Sequence, residues 1–374
     1  MKRNLIQAEA TEAIVKNNYN GVVDISPRVG KSKILIDSIK DKFDWNIVIL
    51  SPYKPIQDSW NNEFVKWKVP SEINIVNLCT KSVNKIQENL DLLIIDEIQT
   101  LSVNQIDWIK KKKPKRILGL TGTYNKETEI LISRTLLLKT IFKYSIDSAI
   151  NDNIISNFEI ILVECELNST IKNVESGSKH YRKLVSEKEH YNYLTTNFDK
   201  FNKLSITNAH FESLRNYFVR ERTNLIYNSP TKLNVAKKIV ENIKRCLVFS
   251  SRVEHAGFLA GDTYHNKNKK ENNLEKFIER SIDKLGVCET INMGVTIPVL
   301  KRAVIHQLKS SSEMSLQKIL RTCNLEDDEV AKIYVTYYKD TVDYNWVNRA
   351  LESVNSGRIR RITTAELENE LLTP

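Results

Sequence analysis

The sequence predicts an α/β protein with two sheet-bearing lobes joined by helices. Its 374 residues leave room for two domains at about 150 residues each. Across residues 1–155, short apolar runs rich in β-formers alternate with amphipathic or polar stretches. That is the pattern of βαβ units around a mostly parallel sheet, whose buried strands read as continuously apolar. The same alternation resumes near residue 231, after a polar interval sprinkled with aromatics.

In the first lobe, residues 1–155, the expected strands are Gly21–Ser26, Asn46–Ser51, Ile73–Leu78, Leu92–Asp96 and Arg116–Thr121. Residues 156–230 form a connector or insertion. It opens with a run that reads as a strand, Glu159–Leu167, and continues through two stretches, 179–194 and 211–227, that read as helices bridging the lobes. In the second lobe, residues 231–350, the strands are Arg245–Ser251, Lys284–Ile291, Arg302–Leu308 and Ala331–Tyr338. Residues 351–374 read as a tail with a short terminal helix. Chemistry in such sheets sits at the carboxyl ends of the strands.

Composition narrows the function classes. The chain is 41% apolar and 27% charged, an ordinary globular balance. Lys plus Arg number 56 and Asp plus Glu 46, so the net charge of +10 admits a polyanionic partner. Ten glycines exclude flexible Gly-rich linkers and collagen-like repeats. No apolar run approaches the ~18 residues of a membrane span, and the N-terminal stretch lacks the apolar core of a secretory signal. Five scattered cysteines (Cys79, Cys165, Cys246, Cys288, Cys323) form no CxxC. With six dispersed histidines, they argue against disulfides and against a metal site built of side chains alone. A cytoplasmic location is the expectation.

The strongest local signal follows the first strand: Ile25-Ser26-Pro27-Arg28-Val29-Gly30-Lys31-Ser32, ahead of an amphipathic helix. A phosphate loop needs backbone N–H groups at a helix N-terminus, a Lys for the β/γ charge, and a Ser or Thr hydroxyl for magnesium. Gly30, Lys31 and Ser32 supply these in order, although Ile25 stands where GxxxxGK[ST] begins with glycine. Pro27, Arg28 and Val29 complete the loop. The run Leu92–Ile95 then delivers Asp96 and Glu97. In a nucleotide site the first would hold Mg2+, through water, and the second would orient and deprotonate the attacking water. The two motifs together point to ATP hydrolysis.

Lys31-Ser32, Asp96-Glu97-Ile98-Gln99 and Leu120-Thr121-Gly122-Thr123 resemble motifs I, II and III of superfamily 2 helicases. Ser51-Pro52 through Ile56, Ser59, Trp60, Glu63 and Trp67 resembles segment Ia, and Gln7 resembles the glutamine that reads adenine through a bidentate amide. In the second lobe, Leu247–Arg252 resembles motif IV and Asn292–Pro298 motif V, with Thr296 where many relatives have Asp. Residues 317–324 align with QxxGRxxR: Gln317 and Arg321 match, while Leu320 and Asn324 replace a glycine and the second arginine.

The resemblance implies two tandem RecA-like parallel-sheet lobes with an ATP cleft between them. Catalysis falls to Lys31, Asp96, Glu97, Gln317 and Arg321, with ATP held by Gln7 and residues 27–32, and Mg2+ by Ser32 and Asp96. Thr121, Gly122 and Thr123 would couple hydrolysis to movement. Pro52, Thr80, Ser250 and Gly294 would contact a nucleic-acid backbone without reading bases. The best-fitting reading is a monomeric DNA helicase or translocase of the compact kind that remodels forks, junctions or recombination intermediates. Such proteins also resemble the motor part of restriction enzymes, and the Lys-, Asn- and Ile-rich composition fits an AT-rich genome such as a phage's. An RNA helicase and an ATP-switched binding module with weak hydrolysis remain as alternatives. No further carboxylate cluster suggests a nuclease.

Two basic features stand apart. Lys110-Lys111-Lys112-Lys113-Pro114-Lys115-Arg116 puts six cations in seven residues. It reads as a solvated loop before the strand Arg116–Thr121, against the competing reading of an electrostatic contact with duplex or a displaced strand. Residues 176–222 carry Lys179, Arg182, Lys183, Arg215, Arg220 and Arg222 among Tyr and Phe. They read mainly as packed helix, with nucleic-acid contact as the competing reading.

Overall fold

The computed structural model describes residues 2–88, 90–122, 124, 126–178, 181–265, 272–288, 300–307, 330–352 and 354–372. Six strands form the first sheet: β1 (Gly21–Ile25), β2 (Ile47–Ser51), β3 (Ile75–Cys79), β4 (Leu92–Asp96), β5 (Ile117–Thr121) and β6 (Thr140–Tyr144). Their spatial order is β3-β2-β4-β5-β1-β6, and every pairing is parallel. Parallel neighbours demand crossovers, to which α2 (Lys31–Ile39), α3 (Lys54–Lys66), α4 (Val103–Lys112) and α5 (Lys126–Leu136) contribute, while α1 (Lys2–Lys16) precedes the first strand.

β4 shows why these residues form a central strand. Its side chains alternate faces, and both faces are covered. Leu92 and Ile94 pack into one apolar cluster with α1 and α2 residues, while Leu93 and Ile95 pack into another with Ile106, Ile109 and Ile132. α4 starts with a reciprocal cap: the Ser102 hydroxyl accepts from the Gln105 N–H, and the Gln105 amide accepts from the Ser102 N–H. Such a box satisfies two otherwise orphaned donors.

After α6 (Ile146–Asn151), the chain enters β7 (Phe158–Cys165), which belongs to the second sheet. Ala149, Ile150 and Ile155 already pack with that sheet's core. A hairpin, β8 (Val174–Ser178) and β9 (Tyr181–Val185), leads to the packed helices α7 (Glu187–Thr207) and α8 (Glu212–Asn228), then α9 (Pro230–Asn242). The hairpin, α7 and α8 therefore all lie between strands of the second sheet.

The rest comprises β10 (Cys246–Ser250), α10 (Val253–Ala260), β11 (Thr263–Tyr264), α11 (Asn273–Ile278), β12 (Lys284–Cys288), β13 (Arg302–Ile305), β14 (Ala331–Tyr338), α12 (Val342–Leu351), β15 (Ile359–Thr363) and α13 (Thr364–Leu372). The sheet order is β11-β12-β10-β13-β14-β7-β15, again parallel throughout. Residues 359–363, within the segment read as a tail, supply an edge strand. Arg360 anchors it to Glu159 and Glu370, both at 2.8 Å.

Candidate nucleotide site

The loop after β1 is built from conformations that only some residues tolerate. Arg28 has φ 69° and Gly30 φ 103°, both left-handed. The left-handed φ of Gly30 favours glycine, and a Cβ there would meet the Gln7 amide nitrogen at 2.6 Å, so the Gln7 side chain would have to move. Lys31 opens α2 directly afterwards. The first N–H groups of a helix have no intrahelical partner and form a ready anion site, and Gly30 carries no side chain to occupy them.

Gln7 reaches this loop from α1. Its amide nitrogen donates to the Val29 carbonyl at 2.6 Å, and Thr11 ties the same turn of α1 to α2 through a 3.4 Å bond to the Ile34 carbonyl. Pro27 and Val29 are buried beneath the loop, while Ser32 is half-buried in the first turn of α2.

The two motifs converge. Lys31 Nζ lies 2.7 Å from Glu97 Oε1, with the side chains only 11% and 3% exposed. Glu97 sits just beyond β4 with φ 52°, a left-handed conformation that turns its carboxylate back over the sheet edge. Gln99 holds the other carboxylate oxygen at 2.8 Å, and the Thr100 hydroxyl donates to the Glu97 carbonyl. Since β5 lies between β4 and β1, Lys31 must cross the end of β5 to reach Glu97. Gly122 stands at that crossing: a Cβ there would come within 3.5 Å of Lys31 Nζ and 3.4 Å of the Ile25 carbonyl. Thr121 beside it is fully buried.

Asp96 is the last residue of β4, and the indole N–H of Trp60 donates to its Oδ2 at 3.0 Å, both residues being buried. The sequence marked Trp60 as part of a motif but gave no sign of this contact, which spans 36 positions. Asp24 is a second residue the sequence left unassigned. It lines a cavity of about 290 Å³ with Ser26, Gly122, Tyr124, Lys143 and Tyr144. Burial raises its carboxyl above the usual range, against the pull of the Lys143 ammonium at 3.7 Å.

Three of the four residues expected to follow a nucleic-acid backbone are described, and they lie at the carboxyl ends of strands in both sheets. Pro52 is buried just past β2, and Thr80 is buried just past β3, its carbonyl accepting from Gln105. Ser250 ends β10 in the second sheet. Its hydroxyl donates to Gln307 Oε1 at 3.2 Å and accepts from the Arg252 N–H. Gln307 also accepts from the Ser251 N–H at 2.9 Å and donates to the Tyr227 carbonyl, which ties this turn to α8. Nothing in the sequence singled out Gln307. Thr123, Gly294, Gln317 and Arg321 lie outside the described residues.

Among the described residues, no group of three or more His, Cys, Asp or Glu side chains could hold a metal ion. No helix among them is long and apolar enough to cross a membrane.

No protein-family model and no curated protein matches this sequence. Solved structures do match in fold. S. cerevisiae Dbp5 bound to RNA and ADP BeF3 is similar with a TM-score of 0.58 at 11% identity, over 98% of this chain and 91% of that one. The ATP-dependent type ISP restriction-modification enzyme LlaBIII bound to DNA is similar with a TM-score of 0.60 at 10% identity. That match covers 97% of this chain but 31% of the enzyme, so the chain spans about a third of its length. At these identities the likeness is one of fold alone: two tandem RecA-like parallel-sheet lobes.

Proposed function

We propose that this chain, with its superfamily 2 helicase fold, is an ATP hydrolase that couples hydrolysis to movement on, or remodelling of, DNA. The observation that carries the reading is the Lys31–Glu97 contact over the end of β5, at the N-terminus of α2. The residues fit magnesium-bound ATP. A Cβ would fill the cradle at Gly30, and adjacent carboxylates, Asp96 and Glu97, stand at the end of β4, on the far side of β5. When bound, the metal neutralises phosphate charge and orients the attacked phosphoryl group. Ser32 and Asp96 are the residues to hold it, Asp96 through water.

The N–H groups of α2 and the Lys31 ammonium bind the β/γ phosphates in this scheme, with residues 27–30 shaping the loop. Glu97 takes the proton from the attacking water, and Gln7 reads the adenine. Gln317 and Arg321 complete the catalytic set from the second lobe, with Arg321 the sole arginine of that motif because Asn324 replaces the other. Thr121, Gly122 and Thr123 relay hydrolysis to the strand-binding edge, Gly122 standing at the crossing point of Lys31. There Pro52, Thr80, Ser250 and Gly294 contact the backbone. The working form is a monomer in the cytoplasm.

DNA is preferred because the motifs resemble recombination and branch-remodelling helicases and because LlaBIII, similar in fold, is bound to DNA. Dbp5, equally similar, is bound to RNA, which favours RNA as the second reading. The test is ATP hydrolysis measured with single strands, forks, four-way junctions, flaps and RNA duplexes, for the wild type and Glu97→Gln. Stimulation by DNA in the wild type is expected, with hydrolysis lost and ATP binding kept in Glu97→Gln. Absence of stimulation by every substrate refutes the motor, and greater stimulation by RNA than by DNA of equal length moves the reading to RNA.

A further inference from the structure

The polybasic run 110–116 does not form the simple loop expected of it. Lys110, Lys111 and Lys112 make the last turn of α4, and Lys113 follows at its C-cap with φ 46°. All strands of the first sheet are parallel, and the run directly precedes β5, so it lies at the sheet's amino end. Lys31, Glu97, Pro52 and Thr80 all lie at the carboxyl end. The five residues of β5 separate the two ends by about 16 Å at ~3.3 Å per residue. These cations cannot share the nucleotide site.

Two of the six are tied to elements other than α4. Lys115 pairs with Asp91 at 2.8 Å. Arg116 stacks 4.3 Å over the Trp45 ring and donates to Asn18. Lys110, Lys111 and Lys113 are exposed and have no ion pair among the described residues. Cations suit a helix C-terminus, but that need is met by one or two of them. Lys113 goes further, because it takes the left-handed conformation that glycine adopts there without strain. A lysine at that position sacrifices stability, and the described fold offers it no partner in return.

We propose that Lys110, Lys111 and Lys113 form a second polyanion site, remote from the cleft, that holds the phosphate backbone of the duplex flanking the engaged stretch. This rests on reading the chain as a nucleic-acid motor. The chemistry selects the occupant. Trp108 is exposed on the same helix, but the Lys111 ammonium lies 5.2 Å over its ring. The patch therefore presents charge rather than a stacking platform of the kind that grips single strands. Charge alone reads phosphates, and duplex DNA offers them most densely, one per ~1.7 Å of axis. Asp107 is the one acidic residue on α4.

The test is direct binding of a duplex and a single strand of equal length across a salt series. Wild type, the triple variant Lys110→Ala/Lys111→Ala/Lys113→Ala, and Lys113→Gly are compared. The triple variant is expected to lower the log–log salt slope for duplex by about two to three, at ~0.9 per phosphate contact. Its low-salt affinity should fall on the order of tenfold or more. Lys113→Gly is expected to raise the melting temperature while weakening duplex binding, two shifts that a purely structural lysine would not give together. An unchanged slope and affinity overturn the site, and a greater loss for the single strand overturns the duplex assignment. Because the readout is binding, failure of hydrolysis to respond to nucleic acid would refute the motor reading separately.

Discussion

Replacing Trp60 by Phe tests whether the metal-side carboxylate is positioned by the helix that follows β2. The substitution keeps a six-membered ring against Phe64, 5.9 Å away between centroids, and removes the N–H that donates to Asp96 Oδ2 at 3.0 Å. A buried hydrogen bond to a charged group is worth about 1.5–3 kcal/mol. Felt wholly as mispositioning of Asp96, that is a fall of roughly 10- to 150-fold at 1.36 kcal/mol per tenfold. The assay is ATP hydrolysis as a function of magnesium concentration, with thermal unfolding in parallel. The expected result is a raised magnesium requirement or a lowered kcat, with ATP binding in the absence of metal preserved. If Trp60→Phe lowers only the melting temperature, leaving magnesium dependence and kcat as in the wild type, the indole is packing and the positioning argument is wrong.

Four further outcomes follow from named contacts. Gly30→Ala should abolish measurable nucleotide binding by calorimetry while leaving the fold intact by circular dichroism, since the new methyl meets Gln7 in a left-handed backbone. Lys31→Met should destabilise the protein as well as silence it, because it leaves Glu97 buried without its ammonium; Lys31→Met/Glu97→Gln should recover much of the lost melting temperature. Lys232, fully buried 2.6 Å from Asp343, should cost about 3–5 kcal/mol in urea unfolding when changed to Met, and Lys232→Met/Asp343→Leu should recover most of it. Burial, with Lys232 and His255 adjacent, holds the His306 pKa well below its ordinary value. The unfolded chain therefore takes up a proton first, and stability is full above pH ~6.5 and falls below it, by up to about 1.4 kcal/mol per pH unit from this group. His255 is shifted in the same direction, also chiefly by burial. His306→Asn should flatten the pH dependence of the melting temperature between about pH 6.5 and 5.

What was legible in the sequence follows burial. β2 and β4 are buried at every position, so no polar residue interrupts them and their boundaries could be read to within a residue. β6 and β15 are edge strands with mostly part-exposed side chains. Their sequences, TIFKY and IRRIT, carry the cations and hydroxyls that edges tolerate, and neither registered as a strand. The hairpin β8–β9 was hidden for the same reason, its outer strand being exposed at four of five positions. In the site, Lys31, Asp96 and Glu97 were visible because each chemistry demands one residue type at one place along a strand or loop. Their partners were not. Trp60 to Asp96, Gln7 to Val29 and Gln307 to Ser250 are contacts between distant segments that local pattern cannot encode.

On the proposed reading, the Lys31–Glu97 pair would link nucleotide binding to hydrolysis through a single contact. A carboxylate serves as a general base only while a lone pair is free to take a proton, yet Glu97 is bonded on both oxygens, by Lys31 on one and Gln99 on the other. A triphosphate at the loop competes for Lys31 with far more negative charge than one carboxylate offers. Drawing the ammonium toward the phosphates would leave Glu97 with the Gln99 amide bond on one oxygen and the other oxygen released, so on the proposed reading a lone pair becomes free for the water as the substrate is seated. Gly122, just past the end of β5, borders the lysine's path over that strand: a Cβ there would sit in ordinary contact, 3.5 Å from Lys31 Nζ.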